Sequence, residues 1–176
     1  MHKITLAVLT GAAAMIAIAP ALPAAASIAG DTPAVIELSG GSLSITVPTG
    51  PVALASGAVT DSSEHGQLGE VTVTDSRAAD PASWTASVSA TPFQSGPHSL
   101  GAETYDTGVV SSTGIPISQF TIATPLTLST APQSPVKLNP TFSGNNTASW
   151  NPTITVAVPA GSVAGAYTAV ITHSVI

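Results

Sequence analysis

An all-β fold is what this sequence predicts, on three observations. From Ser27 onward a Pro or Gly falls every few residues and no long apolar face of helical period survives between them, so helices have little room. In the same region Val, Ile and Thr alternate in at least five short runs, the period of a half-buried strand. The composition supplies both faces: 44% of the 176 residues are hydrophobic, 23 Thr and 22 Ser provide hydroxyls, and only 7% are charged. Short strands with one apolar face each build two antiparallel sheets packed face to face, a β-sandwich of immunoglobulin-like or related topology; a barrel is the alternative closure.

The first segment is not part of that fold. Met1-His2-Lys3 is a short basic start, and Ile4 to Ala19 is an apolar run too short to span a bilayer. Pro20, Pro23 and Ala24-Ala25-Ala26 give the extended, small-residue ending that a signal peptidase takes. Cleavage is expected after Ala26, leaving residues 27–176 as one exported domain without a membrane span. No LPxTG-like motif accompanies Thr172 to Ile176, so retention at the cell surface is expected to be noncovalent.

Leu43 to Val47 is the first expected strand, stopped by Pro48, and Val71 to Thr74 the next, entered through Gly69 and left through Asp75-Ser76. Trp84 opens a third, with Ala86, Val88 and Ala90 on its face until Pro92 ends the run. Gln94 to Thr113, with Gly96-Pro97, Gly101, Gly108 and three consecutive hydroxyl residues, is expected to be a long loop. Between Ile115 and Ile122 the apolar parity switches, which predicts a bulge or bend at Ser118-Gln119. Ala131 to Pro135 reads as a connector and Gly144-Asn145-Asn146 as a turn before Trp150. Ile154, Val156 and Val158 mark another strand, and Tyr167 to Val175 a final one after Gly165 that closes a sheet.

Trp84 and Trp150 are each preceded by Ser and each introduce a Thr/Val-rich strand, a loose internal duplication. Asp75-Ser76-Arg77 precedes Trp84, and Trp150 leads through an apolar run to Val158-Pro159, the Gly165 turn and Tyr167-Thr168-Ala169. In this order of motifs, over roughly Leu43 to Ile176, the chain resembles the WxL-domain family, secreted modules of Gram-positive bacteria. The resemblance implies an all-β fold, noncovalent attachment to peptidoglycan, and work alongside companion surface proteins. It also implies Asp75, Arg77, Trp84, Trp150 and Tyr167 as candidate binding residues. The chain departs from the family where each W-x-L triplet should end in Leu: Ala86 and Pro152 stand there and offer a smaller apolar surface.

Taken by themselves, the two Trp residues have two roles open to them: filler of a core that no disulfide reinforces, or an exposed face that stacks on sugar rings or enters a partner. Arg77, two residues after Asp75, suits either a bidentate ion pair with it or a stack over Trp84.

The absence of Cys excludes disulfides, thiolate metal sites and a Cys nucleophile. Without Lys3, Arg77 and Lys137 stand against nine carboxylates, a balance that excludes binding to a phosphate backbone. His65, His98 and His173 are the bases a hydrolase could use, but no G-x-S-x-G elbow is present, and His173 has the parity of a half-buried end-of-strand residue. Asp61, Glu64, Glu70, Asp75 and Asp80 cluster in sequence as a glycosidase pair would, yet seven aromatics are few for a sugar cleft. Asp75, Asp80, Glu103 and Asp106 lack the spacing of a calcium loop. The expectation is a protein without catalytic activity, cofactor, metal or nucleic-acid partner.

Two functions of different class fit these residues. One is a binding module held by peptidoglycan, another wall polymer or a companion surface protein, through a site around Trp84. The other is a structural subunit of a surface layer or fibre, joined through sheet edges.

Overall fold

The alternating runs pair as antiparallel ladders in the computed structural model, which describes residues 32–176. The expected signal peptide and its cleavage site lie outside the described residues. In chain order the strands are β1 (Leu43–Thr46), β2 (Ser63–Gln67), β3 (Val71–Asp75), β4 (Ala82–Ala90), β5 (Gln94–Ser95), β6 (His98–Ser99) and β7 (Glu103–Asp106). There follow β8 (Ser111–Thr113), β9 (Phe120–Ile122), β10 (Leu126–Thr127), β11 (Gln133–Phe142), β12 (Asn146–Trp150), β13 (Thr153–Ala157) and β14 (Ile171–Val175). No α-helix occurs among the described residues, and no helix there is long and apolar enough to cross a membrane. Leu38–Ile176 is one compact unit; residues 32–37, outside it, are exposed and without secondary structure.

Three four-stranded sheets carry the architecture, in the orders β1-β3-β12-β8, β10-β7-β13-β2 and β14-β4-β11-β9, with β5 and β6 as a separate ribbon. The first two sheets are continuous with one another. β2 runs on into β3 through residues 68–70 and β12 into β13 through Asn151-Pro152, with the Leu68 N–H donating to the Pro152 carbonyl at 2.8 Å between them. Two composite strands therefore pair antiparallel from Asn146↔Asp75 at one end to Ala157↔Ser63 at the other. This layer contributes Val71, Val73, Tyr105, Ala148, Trp150 and Ile154 to the core, and the third sheet contributes Trp84, Ala86, Val88, Val136 and Leu138. The expected antiparallel sandwich is the fold.

Strands stand as expected where apolar character alternates. Along β4 every second residue from Ala82 to Ala90 is buried, and Val71 and Val73 in β3 and Ile154 and Val156 in β13 do the same. The parity switch near Ser118-Gln119 is a single 3-10 turn, Ile117–Gln119, which lets Ile115 and Phe120 both face the core.

Elsewhere the structure corrects the sequence reading. Gln94 to Thr113 is not a loop; it holds β5 to β8, and β7 escapes notice because its inward residues are Glu103 and Tyr105. β2 has no apolar residue at all and is a strand because β13 pairs with it. Ala131 to Pro135 is not a connector: β11 begins at Gln133, and two register shifts absorb Pro135 and Pro140, which cannot donate to a ladder. Trp150 closes β12 instead of opening a strand. The final strand starts at Ile171, with Tyr167 in the preceding loop and Thr168 bridging to Gln94, and β14 ends its sheet on one side instead of closing it.

Candidate functional site

Three polar or open places interrupt the apolar core. The first is the corner where β3 leaves the core. Asp75 is 1% exposed because the strand alternation turns it inward after Val71 and Val73, and a carboxylate there needs donors. Arg77 supplies three: its backbone N–H reaches Asp75 Oδ1 at 3.0 Å, its Nε reaches Oδ1 at 2.9 Å and its Nη2 reaches Oδ2 at 2.9 Å. Those guanidinium bonds hold the Asp75 carboxyl below its usual range. Nη2 also donates to the Ser83 carbonyl at 2.7 Å, which ties the turn to the residue before Trp84. Ala78 sits in the left-handed region at φ 53°, its N–H held by Asn145 Oδ1 at 2.9 Å. Across the layers, Trp84 Nε1 donates to Asn146 Oδ1 at 2.9 Å, and its ring meets Phe120 edge-on at 5.6 Å. Of the two arrangements open to Arg77, the bidentate pair is the one formed.

The second place is a buried relay. Trp150 Nε1 donates to Tyr105 Oη at 2.7 Å, and that hydroxyl lies 3.1 Å from His173 Nε2. With the phenol accepting from the indole, its proton is free for the imidazole, which makes Nε2 the acceptor and places the imidazole hydrogen on Nδ1. Burial pushes the His173 pKa down to about 4 and raises that of Tyr105, so the ring is neutral and the phenol protonated near pH 7. The imidazole nitrogen that a hydroxyl nucleophile would need is already committed to Tyr105.

The third place is an open apolar cleft of about 640 Å³. It is lined by the buried Ile154 and Val156 of β13, by residues 52–59 and 162–167, and by Phe93 and Leu100. Glu64 and His65 of β2, the terminal strand of its sheet, also line it. Residues 52–59 can lie against β2 because Gly66 has no side chain; a Cβ there would collide with the Leu54 carbonyl. In the second lining segment Tyr167 is pinned by its hydroxyl donating to the Val163 carbonyl at 2.8 Å. Phe93 is held by Glu103, a buried carboxylate whose Oε1 accepts the Phe93 N–H at 2.9 Å and whose pKa burial raises.

Among the five candidate residues, the structure joins Asp75, Arg77 and Trp84 at one corner and sends Trp150 to the relay. Trp84 and Trp150 are both 2% exposed, so core filler is the role each plays. Tyr167 alone lines the cleft. Sequence reasoning missed Tyr105, read Asn146 as a turn residue and weighed Glu103 only for calcium, whereas Asn146 and Tyr105 receive the two indole protons; the one signal for them is a polar residue at the inward parity of a short strand. Among the described residues no group of three or more His, Asp or Glu side chains stands ready to hold a metal. No protein-family model, no curated protein and no solved structure matches the chain.

Replacing Arg77 by Ala leaves the Asp75 carboxylate buried without its guanidinium bonds. The expected cost is about 1 to 3 kcal/mol in urea unfolding, with altered Trp emission as the Ser83–Trp84 connection loosens. An unchanged midpoint and spectrum would show that the turn stands without the pair.

His173 makes stability depend on pH. Its folded pKa of about 4 lies below the ordinary 6.5, so between those values the unfolded chain binds a proton that the folded chain refuses. Its contribution is complete above pH 6.5 and is lost as pH falls toward 4, while Glu103, with its raised pKa, acts in the opposite sense just above 4.5. His173→Gln keeps an acceptor for Tyr105 and cannot titrate, so its melting temperature is expected to fall less than the wild type's from pH 7 to pH 4.5. Parallel curves for the two proteins would place the imidazole in contact with solvent.

Proposed function

We propose that this protein is a secreted, non-catalytic cell-surface module that is retained noncovalently by a companion surface protein, whose extended apolar segment lies in the cleft. The observation that carries the reading is the cleft itself. Val52, Val59 and Val163, at 37, 46 and 48% exposure, line it and leave large apolar side chains open to solvent beside the buried Ile154 and Val156. A groove lined by buried apolar residues and by a terminal strand suits a strand-like segment, whose alternate side chains enter the groove. The resemblance to WxL domains supports surface work beside companion proteins. The burial of Trp84, Trp150 and Asp75 favours a protein segment over peptidoglycan as the ligand, because the two indole faces on which a sugar would stack lie in the core.

Neutral contacts carry the binding on this reading, since nine carboxylates against Arg77 and Lys137 repel an acidic surface. Cells producing the protein should keep it in the washed pellet at both low and high salt, and Val163→Asp should release it to the medium while the far-ultraviolet spectrum stays that of the parent. Retention that vanishes on raising salt, or that survives Val163→Asp, would contradict the cleft as the holding site.

A further inference from the structure

We infer that the segment held in the cleft is basic as well as apolar: an extended stretch of a companion protein in which one Lys or Arg enters the groove among alternate apolar side chains and pairs with Glu64. This rests on the reading of the cleft as the holding site and adds the chemistry of its occupant.

Glu64 is the one carboxylate among the lining residues, and no Lys or Arg lines the cleft with it. Its direction follows from the ladder. β2 pairs antiparallel with β13, Glu64 stands opposite Val156, and residues directly opposite one another share a face of the sheet. Val156 is buried and lines the cleft, so Glu64 takes the cleft face while His65 alternates to the other. Gly57 makes room for the carboxylate, since a Cβ there would collide with Glu64 Oε1. The residue is half-buried in that position.

A carboxylate among apolar groups keeps its charge at a desolvation cost, which a cation offsets. The described chain does not supply one. Its single ion pair joins Arg77 to Asp75, and that guanidinium is also held by the Ser83 carbonyl. Lys137 is exposed on the outer face of β11, between the buried Val136 and Leu138. Residues 27–37 hold Asp31 and Glu37 and no Lys or Arg, and Lys3 precedes the expected cleavage after Ala26. Neither the leading segment of the exported chain nor that of a second copy therefore brings a side-chain cation to Glu64. A different protein with a basic residue in its segment does.

The charge of the whole chain acts in the same sense. Nine carboxylates against three cations attract a basic partner and repel an acidic one. In an extended segment the side chains at i and i+2 lie about 6.6 Å apart on one side. A cation at one groove-facing position thus leaves apolar residues two places before and after it to cover the open side chains of Val52, Val59 and Val163. A pair partly withdrawn from water is screened much less than exposed charges, so retention at high salt is kept.

The test uses the full exported protein and capped nine-residue peptides of alternating Ser and Val, in which the central Val is replaced by Lys, norleucine or Glu. Affinities are read by titration calorimetry. The Lys peptide should bind about tenfold more tightly than the norleucine peptide, and the Glu peptide more weakly than either. Glu64→Gln, which keeps the shape of the side chain, should retain the far-ultraviolet spectrum and the norleucine affinity while binding the Lys and norleucine peptides alike. A wild type that already binds those two alike overturns the inference, leaves the cleft reading intact, and makes Glu64 a guard of an edge strand. A preference for Lys that survives Glu64→Gln overturns it as well. Binding of no peptide at all removes both readings. Peptide binding that appears only once residues 27–37 are deleted would give the cleft to the chain's own leading segment. Self-association of the wild type that Val163→Asp abolishes would give it to a second copy. Either result overturns the basic partner.

Discussion

Two indole N–H groups buried in a core without disulfides constrain much of this structure. A Trp fills more volume than any other side chain, yet its one donor must find a partner when water is excluded. Both are satisfied across sheets. Trp84 of β4 reaches Asn146 of β12, and Trp150 of β12 reaches Tyr105 of β7, whose hydroxyl continues to His173 of β14. One strand of each four-stranded sheet is thus tied to a strand of another by directional bonds, where apolar packing alone would allow sliding. No buried side-chain polar atom among the described residues lacks a partner. A half-satisfied network would cost more than an apolar core of the same shape, so the registers that bring these groups together are fixed as a set.

The corner at Asp75 follows from the same constraint. Asn146 stands opposite Asp75 in the ladder, and the turn at Gly144-Asn145 aims its amide at the Trp84 indole while Asn145 holds the Ala78 N–H. Arg77 then neutralises Asp75 and grips the Ser83 carbonyl, delivering Trp84 to its place in β4. The similar surroundings of the two Trp residues in sequence therefore end in different partners, an amide for one and a phenol for the other. Their shared feature is burial, which leaves neither indole open to solvent.

What was legible in the sequence follows a physical line. β1, β3, β4 and β13 announce themselves because the core takes Leu, Val, Ile, Ala or Trp from every second position. β7 and β12 do not, since the core takes from them Glu103, Tyr105 and Asn146, and a polar residue at the inward parity looks like the outward face of a strand out of register. β2 carries no apolar signal because pairing with β13 alone recruits it, and the prolines of β11 imitate a linker while two register shifts accommodate them. Asp75-Ser76-Arg77 was readable as a unit because its bonds are local in sequence, two residues apart. The Trp84–Asn146 and Trp150–Tyr105 pairs span 62 and 45 residues, a separation at which no spacing rule operates. The cleft was invisible for a related reason: two loops far apart in sequence form its walls.

The claim that the indole bonds hold the sheets in register is tested most directly by a double-mutant cycle on Trp150→Phe and Tyr105→Phe, read as unfolding free energy in urea. The indole donor and the phenol acceptor stabilise each other on this account, so the two losses should not add, and the coupling should be about 0.5 to 3 kcal/mol. Strictly additive losses would mean that the two rings are held by packing alone and that the bond between them fixes nothing.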